Sequence, residues 1–193
     1  MSSPRARQRT APPAPPAPPV DALRPLLEAA VEGNGRALGE LVRRTQADVW
    51  RVCTALGSPG EEEDLVQETY LRAIRSIATF RGEASVRTWL AAIARHVCVD
   101  HVRRRQRQRR LALRVESAVR GDAVSIPTDD GDVAALLDAI DPDRREAFVL
   151  TQVVGLSYEE AAASLGCPVG TVRSRVSRAR ADLVRSVRYS EAV

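Results

Sequence analysis

The stretch "CPVGTVRSRVSRARADL", Cys167 to Leu183, sets Arg173, Arg175, Arg178 and Arg180 among small and apolar residues at regular spacing. Guanidinium groups grip phosphates and fork onto base edges, and the hydroxyls of Ser174 and Ser177 read the same atoms with less discrimination. Wound at about 100° per residue, Val172, Val176, Ala179, Leu183 and Val187 fall in one stripe roughly 80° wide. Arg173, Ser174, Arg175, Ser177 and Arg178 spread over the opposite side. No acid stands among them before Asp182, so the opposite-charge pairs of an ordinary solvated helix are missing. The pattern predicts an amphipathic helix with its back on a core and an exterior suited to nucleic acid.

The residues just before it supply a partner helix. In "LSYEEAAASLG", Ser157 can cap a short helix, with Glu160 three residues on as in a capping box. Ala161, Ala162 and Leu165 face inward, Gly166 gives a sharp turn, and Pro168 begins the next helix where no N–H is needed. Two helices across a short glycine-containing turn form a helix-turn-helix, whose second helix enters the major groove.

Basic groups cluster in a second place. "HVRRRQRQRR" gathers Arg103, Arg104, Arg105, Arg107, Arg109 and Arg110 without an acid, which favours duplex phosphates. Upstream, "FRGEASVRTWLAAIARH" offers Arg81, Arg87 and Arg95 as cations, Trp89 as a wall or a core residue, and His96 as a polar reader. Trapping an unstacked base needs such a set: a pocket, a polar edge and charge for the backbone. No Ser-His-Asp set, phosphate-binding loop or metal-ligand cluster is visible, so neither catalysis nor a cofactor is expected. His96 and His101 lie five residues apart, off a single helix face, which argues against a metal pair.

The chain that must position these groups has 193 residues, 44% of them hydrophobic, and a net charge of +4, enough for one or two small domains. All 29 basic residues are arginine, which reflects codon bias as well as function. Cys53, Cys98 and Cys167 are few and scattered and read as reduced, mostly buried residues of a cytoplasmic protein. A Cys53–Cys98 redox pair is the alternative. No apolar run reaches the length of a membrane span, and no signal peptide is visible.

Residues 1–20 end in "APPAPPAPPV" and read as a disordered, proline-rich arm. From 21 to 110 the pattern is helical: "LRPLLEAAVEG", then "RALGELVRRTQADVWRVCTALG", then a helix opened near Ser58 with acids in its first turns, then "SVRTWLAAIARHVCVDHVRRRQRQRR" after a "TFRGEA" loop. A flexible acidic linker with Asp122, Asp129, Asp130 and Asp132 occupies 111–132, and the linker character begins near 106. Residues 133–193 form a second unit, with helices expected at about 133–140, 142–154, 157–165 and 168–188. No stretch alternates long enough for a strand, so the fold expected is all-α: two small helical domains joined by a flexible linker.

Taken together, "EDLVQETYLRAIRSI", "FRGEASVRTWLAAIARHVCVDHVRRR" and "LSYEEAAASLGCPVGTVRSRVSRARADL" resemble bacterial RNA polymerase sigma factors of the extracytoplasmic-function type, over roughly residues 21–188. The first two stretches look like the family's region 2 and the third like region 4. The resemblance implies a transcription initiation factor, not an enzyme, that binds core RNA polymerase, recognises −10 and −35 promoter elements and helps open the DNA. It assigns core-polymerase docking to Asp64, Leu65, Val66, Gln67 and Glu68. It assigns the single-stranded −10 element to Arg81, Arg87, Trp89, Arg95 and His96, with Arg103, Arg104 and Arg105 on the adjoining duplex. The duplex −35 element falls to Thr171, Arg173, Ser174, Arg175, Ser177 and Arg178. The acidic linker resembles the segment that threads the polymerase channel; a bare tether is the plainer reading. An anti-sigma factor is a further candidate partner. His96 stands where the family often has asparagine, and Ser177 where relatives carry a larger residue, so the bases favoured at either element do not carry over.

Two other readings stay open on the residues alone. One is a free-standing helix-turn-helix regulator with a helical dimerisation or ligand domain; the basic patch at 103–110 argues against it. The other is an interaction protein imitating a sigma factor, which two DNA-suited faces argue against.

Overall fold

The computed structural model describes residues 21–117, 136–137 and 139–190. The proline-rich arm, the linker acids and half of the helix expected at 133–140 lie outside them. Every regular element described is helical.

Four helices make the first unit. α1 (Arg24–Val31) is short, with a proline in its first turn. α2 (Gly35–Leu56) starts where Asn34 accepts the N–H groups of Arg36 and Ala37, satisfying two donors the helix itself leaves unpaired. It buries Leu41, Val49, Val52 and Cys53 at helical spacing. α3 (Glu62–Ser76) carries Glu62, Glu63 and Asp64 in its first turn and Arg75 in its last, as the helix dipole favours. Ser58 does not cap it: the N-cap is Glu61, and Ser58 instead accepts the Glu61 N–H in the preceding turn through its carbonyl. A 3-10 turn (Ile77–Thr79) and a loop lead to α4 (Val86–Ser117). α4 continues as helix to Ser117, past the point where linker character was expected to begin, because nothing in 106–117 breaks it; its prolines and glycines come later. Cross-links join the helices: Thr45 to Tyr70 by hydroxyls 2.9 Å apart, and Arg72 to Asp100 at 3.1 Å.

The second unit begins with α5 (Pro142–Phe148), capped by Asp141, and widens into a π-helical turn (Val149–Val153) where a continuous helix was expected. α6 (Tyr158–Leu165) and α7 (Val169–Ser190) complete it. Val172, Val176 and Ala179 are fully buried, each valine worth roughly 1.5–3 kcal/mol of apolar burial. The stripe ends sooner than the wheel predicts: Leu183 is half-buried and Val187 is 40% exposed. The buried side chains of both units join in one apolar cluster.

Candidate nucleic-acid interface

The helix-turn-helix is built as its residues dictate. Ser157 accepts the Glu160 N–H at 3.0 Å, and Glu160 accepts the Ser157 N–H at 2.9 Å, closing the capping box. Gly166 sits at φ +62°, a left-handed conformation that ends α6 with little cost only for glycine. Pro168 lies just before α7 and receives the Thr171 and Val172 N–H groups on its carbonyl. Arg173, Ser174, Ser177 and Arg178 are exposed together on α7. The Arg173 guanidinium lies over the Tyr158 ring, 5.8 Å from its centroid, so the preceding helix steadies it. Ser174 bonds the Thr171 carbonyl at 2.9 Å, and Thr171 itself is half-buried. Arg175 stands apart on the flank: its guanidinium is paired with Asp143 of α5 and lies 3.8 Å from the Cys167 sulfur.

The first-unit residues do not share one face. At about 100° per residue, Trp89, His96 and Arg103 align along α4, while Arg87 and Arg105 each lie half a turn from His96. His96 and Arg103 are exposed, as is Arg104 beside them; Arg81 is exposed in the loop before α4. The His96 ring points Nδ1 at the Ala92 carbonyl, 2.7 Å away, and its Nε2 lies 3.4 Å from the Arg95 guanidinium. Trp89 is half-buried, its ring 5.2 Å from that of Phe80 and packed on the core, which favours the core reading of this residue. Arg105 is ion-paired with Glu61 at 2.9 Å on the α3 side of the helix. His101 Nε2 also approaches Glu61 at 2.6 Å, off the line a hydrogen bond needs.

Arg87 and Arg95 face the second unit. Arg87 forks onto Asp48 at 2.6 and 3.0 Å and donates to the Val154 carbonyl, at the end of the π turn, at 2.6 Å. Arg95 meets Glu146 at 2.5 Å. Glu160 accepts the Thr88 hydroxyl at 2.7 Å and the Ser85 hydroxyl at 3.2 Å, so the capping-box carboxylate also ties the units together. Burial pushes the Glu160 carboxyl up, but the Ser157 N–H and the hydroxyls of Thr88, Ser157 and Ser85 outweigh it and hold the carboxyl below the usual range. Sequence reading missed this clasp. Arg87, Arg95, Glu146 and Glu160 carry no local signal of their partners, which lie 39 to 75 residues away.

On α3, Asp64 and Gln67 are exposed, Val66 and Glu68 half-buried, and Leu65 only 3% exposed. Leu65 is therefore a core residue rather than a contact. Leu71 and Ile74, each 43% exposed, extend the Asp64–Gln67 row along the same side. Their apolar character hid them, because from sequence an apolar residue on an amphipathic helix reads as core.

Cys53 and Cys98 are fully buried. The Cys53 sulfur beside it, and burial, push the Cys98 thiol well above the ordinary range. Among the described residues no group of three His, Cys, Asp or Glu side chains could hold a metal ion, and no helix is long and apolar enough to cross a membrane.

Two small helical units, one closing on a helix-turn-helix with an arginine-serine exterior, define an all-α DNA-binding class of protein. The family descriptions that match are "Sigma-70 region 2" over residues 41–108 and "Sigma-70, region 4" over 130–183. The chain is 47% identical over 167 residues to the ECF RNA polymerase sigma factor SigC of Mycobacterium tuberculosis, covering 85% of this chain and 90% of that one. It is 32% identical over 169 residues to the ECF RNA polymerase sigma-E factor of Escherichia coli, covering 80% and 88%. Among solved structures it is similar to CnrH in complex with the cytosolic domain of CnrY, with TM-score 0.69, 34% identity and coverage of 88% and 99%. It is similar also to the sigma factor RpoE in complex with the anti-sigma factor NepR from Bartonella quintana, with TM-score 0.60, 31% identity and coverage of 78% and 95%. The chain belongs to the extracytoplasmic-function group of the sigma-70 family. It is a transcription initiation factor, not an enzyme, and its partners are core RNA polymerase and promoter DNA.

Proposed function

We propose that this sigma factor docks on core polymerase through the outer row of α3, reads the −10 element with the α3–α4 loop and the His96–Arg103 side of α4, and reads the −35 element with α7. Asp64, Gln67, Leu71 and Ile74 combine two polar and two apolar exposed side chains, a surface suited to an amphipathic partner helix. Arg81 and His96 are exposed where a displaced strand would meet them, and Arg103 and Arg104 where the duplex beside it would lie. Arg173, Ser174, Ser177 and Arg178 form the groove-facing set, with Arg175 at its edge. The observation that carries this reading is that each unit has its own exposed arginine face, on α4 and on α7, so one chain can grip a promoter at two places.

Arg87 and Arg95 are held by the second unit, so their use on DNA requires the clasp to open. Polymerase and promoter, by drawing the two units to separate elements, supply the differential binding that opens it. The linker acids Asp122, Asp129, Asp130 and Asp132 would then span the distance between them. The complex of RpoE with NepR supports an anti-sigma protein as a further partner.

The test is transcription with core polymerase and a randomised promoter library. Defined transcripts that require both proteins are expected, with two selected DNA elements upstream of each start. A purified chain that fails to associate with core polymerase overturns the reading, and tight binding of the chain alone to a palindromic site favours a free-standing regulator.

A further inference from the structure

The residues at the head of the −10-reading helix are shaped from a distance. Asp21 lies just before α1, yet its carboxylate serves two helices. Oδ1 accepts the Leu23 N–H at 3.1 Å, and Oδ2 accepts the Val86 N–H at 2.7 Å. Val86 opens α4, where the first N–H groups have no partner within the helix. Ser85 already takes the Thr88 N–H at 3.1 Å as a local cap. The Asp21 carboxylate adds a second acceptor from 65 residues away, and it places a negative charge where the helix dipole favours one.

Arg24 secures the middle of the same loop. Its guanidinium lies so close to Gly82 that a Cβ there would stand 2.3 Å from Nη2 and 2.8 Å from Cζ. Gly82 is at φ +72°, a conformation that favours glycine, and its bare Cα lets the guanidinium lie against the loop. Glu28 holds the guanidinium from the other side at 3.1 Å. Phe80, against Trp89, fixes the start of the loop. Residues 80–85 are thus pinned at start, middle and end, and the side chains left exposed between the pins are Arg81 and Glu83.

We infer that Asp21 and Arg24 are positioning residues for promoter opening: they hold the 80–85 loop in the shape that presents Arg81, ahead of His96, to the displaced strand. The inference rests on the proposed reading of the −10 element by this loop and α4. In this role both residues act through the loop, not by contact with DNA. Without them the strand would have to order the loop as it binds, which weakens capture of the opened state.

The full-length chain is tested with core polymerase on a duplex promoter and on the same promoter pre-melted around the start. Asp21→Ala and Arg24→Ala are each expected to lower open-complex formation on the duplex by on the order of tenfold, and to recover to within about twofold on the pre-melted template. Affinity for polymerase and for −35 duplex stays unchanged, and amide exchange over 80–86 accelerates in the free chain. Asp21→Asn keeps one acceptor oxygen and should fall between. Where Asp21→Ala lowers thermal stability, Arg24→Ala decides, because the Arg24 side chain is 49% exposed and its loss leaves the core intact. Variants that open the duplex as well as wild type, or lose equally on both templates, overturn the positioning role alone. A wild type that opens no promoter overturns it together with the proposed function.

Discussion

Arg95 of α4 and Glu146 of α5 meet at 2.5 Å, Nε on Oε2, with their side chains only 17% and 14% exposed. The contact joins the two units of the molecule and occupies an arginine assigned to the −10 element. Partial burial makes such a pair worth more than a surface ion pair, and removing one partner leaves the other seeking a new one.

Glu146→Ala should therefore loosen the closed arrangement and release Arg95. Small-angle scattering should show a larger radius of gyration. Affinity of the free chain for a −10 non-template oligonucleotide should rise by roughly tenfold, about 1.4 kcal/mol, because a larger share of molecules is competent to bind. An unchanged radius with unchanged oligonucleotide binding would remove the clasp from the account of DNA access.

The docking row on α3 separates two kinds of leucine. Leu71 is 43% exposed and Leu65 is 3% exposed, six residues apart on one helix. Leu71→Asp should weaken core-polymerase binding by about tenfold or more while leaving the thermal midpoint unchanged. Leu65→Ala should do the reverse, costing about 2–4 kcal/mol of stability through the cavity it leaves. Paired measurements of affinity and melting on both variants check the assignment; loss of polymerase affinity in Leu65→Ala at full folding would refute it.

How far the sequence alone led depends on the range over which each feature is encoded. The helices and the helix-turn-helix were legible because their signals are local: Ser157 with Glu160, Gly166 and Pro168 all act within a few residues of themselves. The apolar stripe of α7 was legible for the same reason as far as Ala179. The clasp was not, since the partners of Arg87, Arg95 and Glu160 are fixed by how two units pack, and a free guanidinium and a paired one have the same sequence. The π turn at Val149–Val153 was missed because its residues fit a regular helix equally well by propensity. Trp89 could be read as core or as wall, and only its place against Phe80 separates the two.

Acid should loosen the fold through two carboxylates. Glu160 is held below its usual value of 4.5 as described above, and Asp182 below its usual 3.8, first by the Arg144 hydrogen bond and then by Arg185, with burial opposing. Arg87 lies close enough to Glu160 to feel its charge. A carboxyl whose folded value is depressed stabilises the fold fully above its unfolded value and loses that contribution as pH falls through the folded value. Thermal stability should thus decline as pH drops below about 4.5, and the decline should be shallower in Glu160→Gln and Asp182→Asn. Melting curves from neutral pH to pH 3 test this; identical slopes in wild type and both variants would assign the acid sensitivity elsewhere.

The last contrast lies on α7. Arg178 is exposed in the groove-facing set, whereas Arg175 is paired with Asp143 and half-buried. A guanidinium free to fork onto guanine contributes discrimination directly, so Arg178→Ala should cost about 1–3 kcal/mol of preference for the selected −35 sequence over a scrambled one. Arg175 must first give up Asp143. Arg175→Ala should cost preference only to the extent that the exchange occurs on DNA, and Asp143→Ala should strengthen −35 binding by freeing it. Binding of each variant to selected and scrambled duplexes, at several salt concentrations, separates the outcomes. Equal losses on both duplexes with a reduced salt slope would make Arg178 a phosphate contact. If Asp143→Ala leaves binding unchanged while Arg175→Ala weakens it, the ion pair with α5 does not compete with DNA and Arg175 reads the groove from the position it already holds.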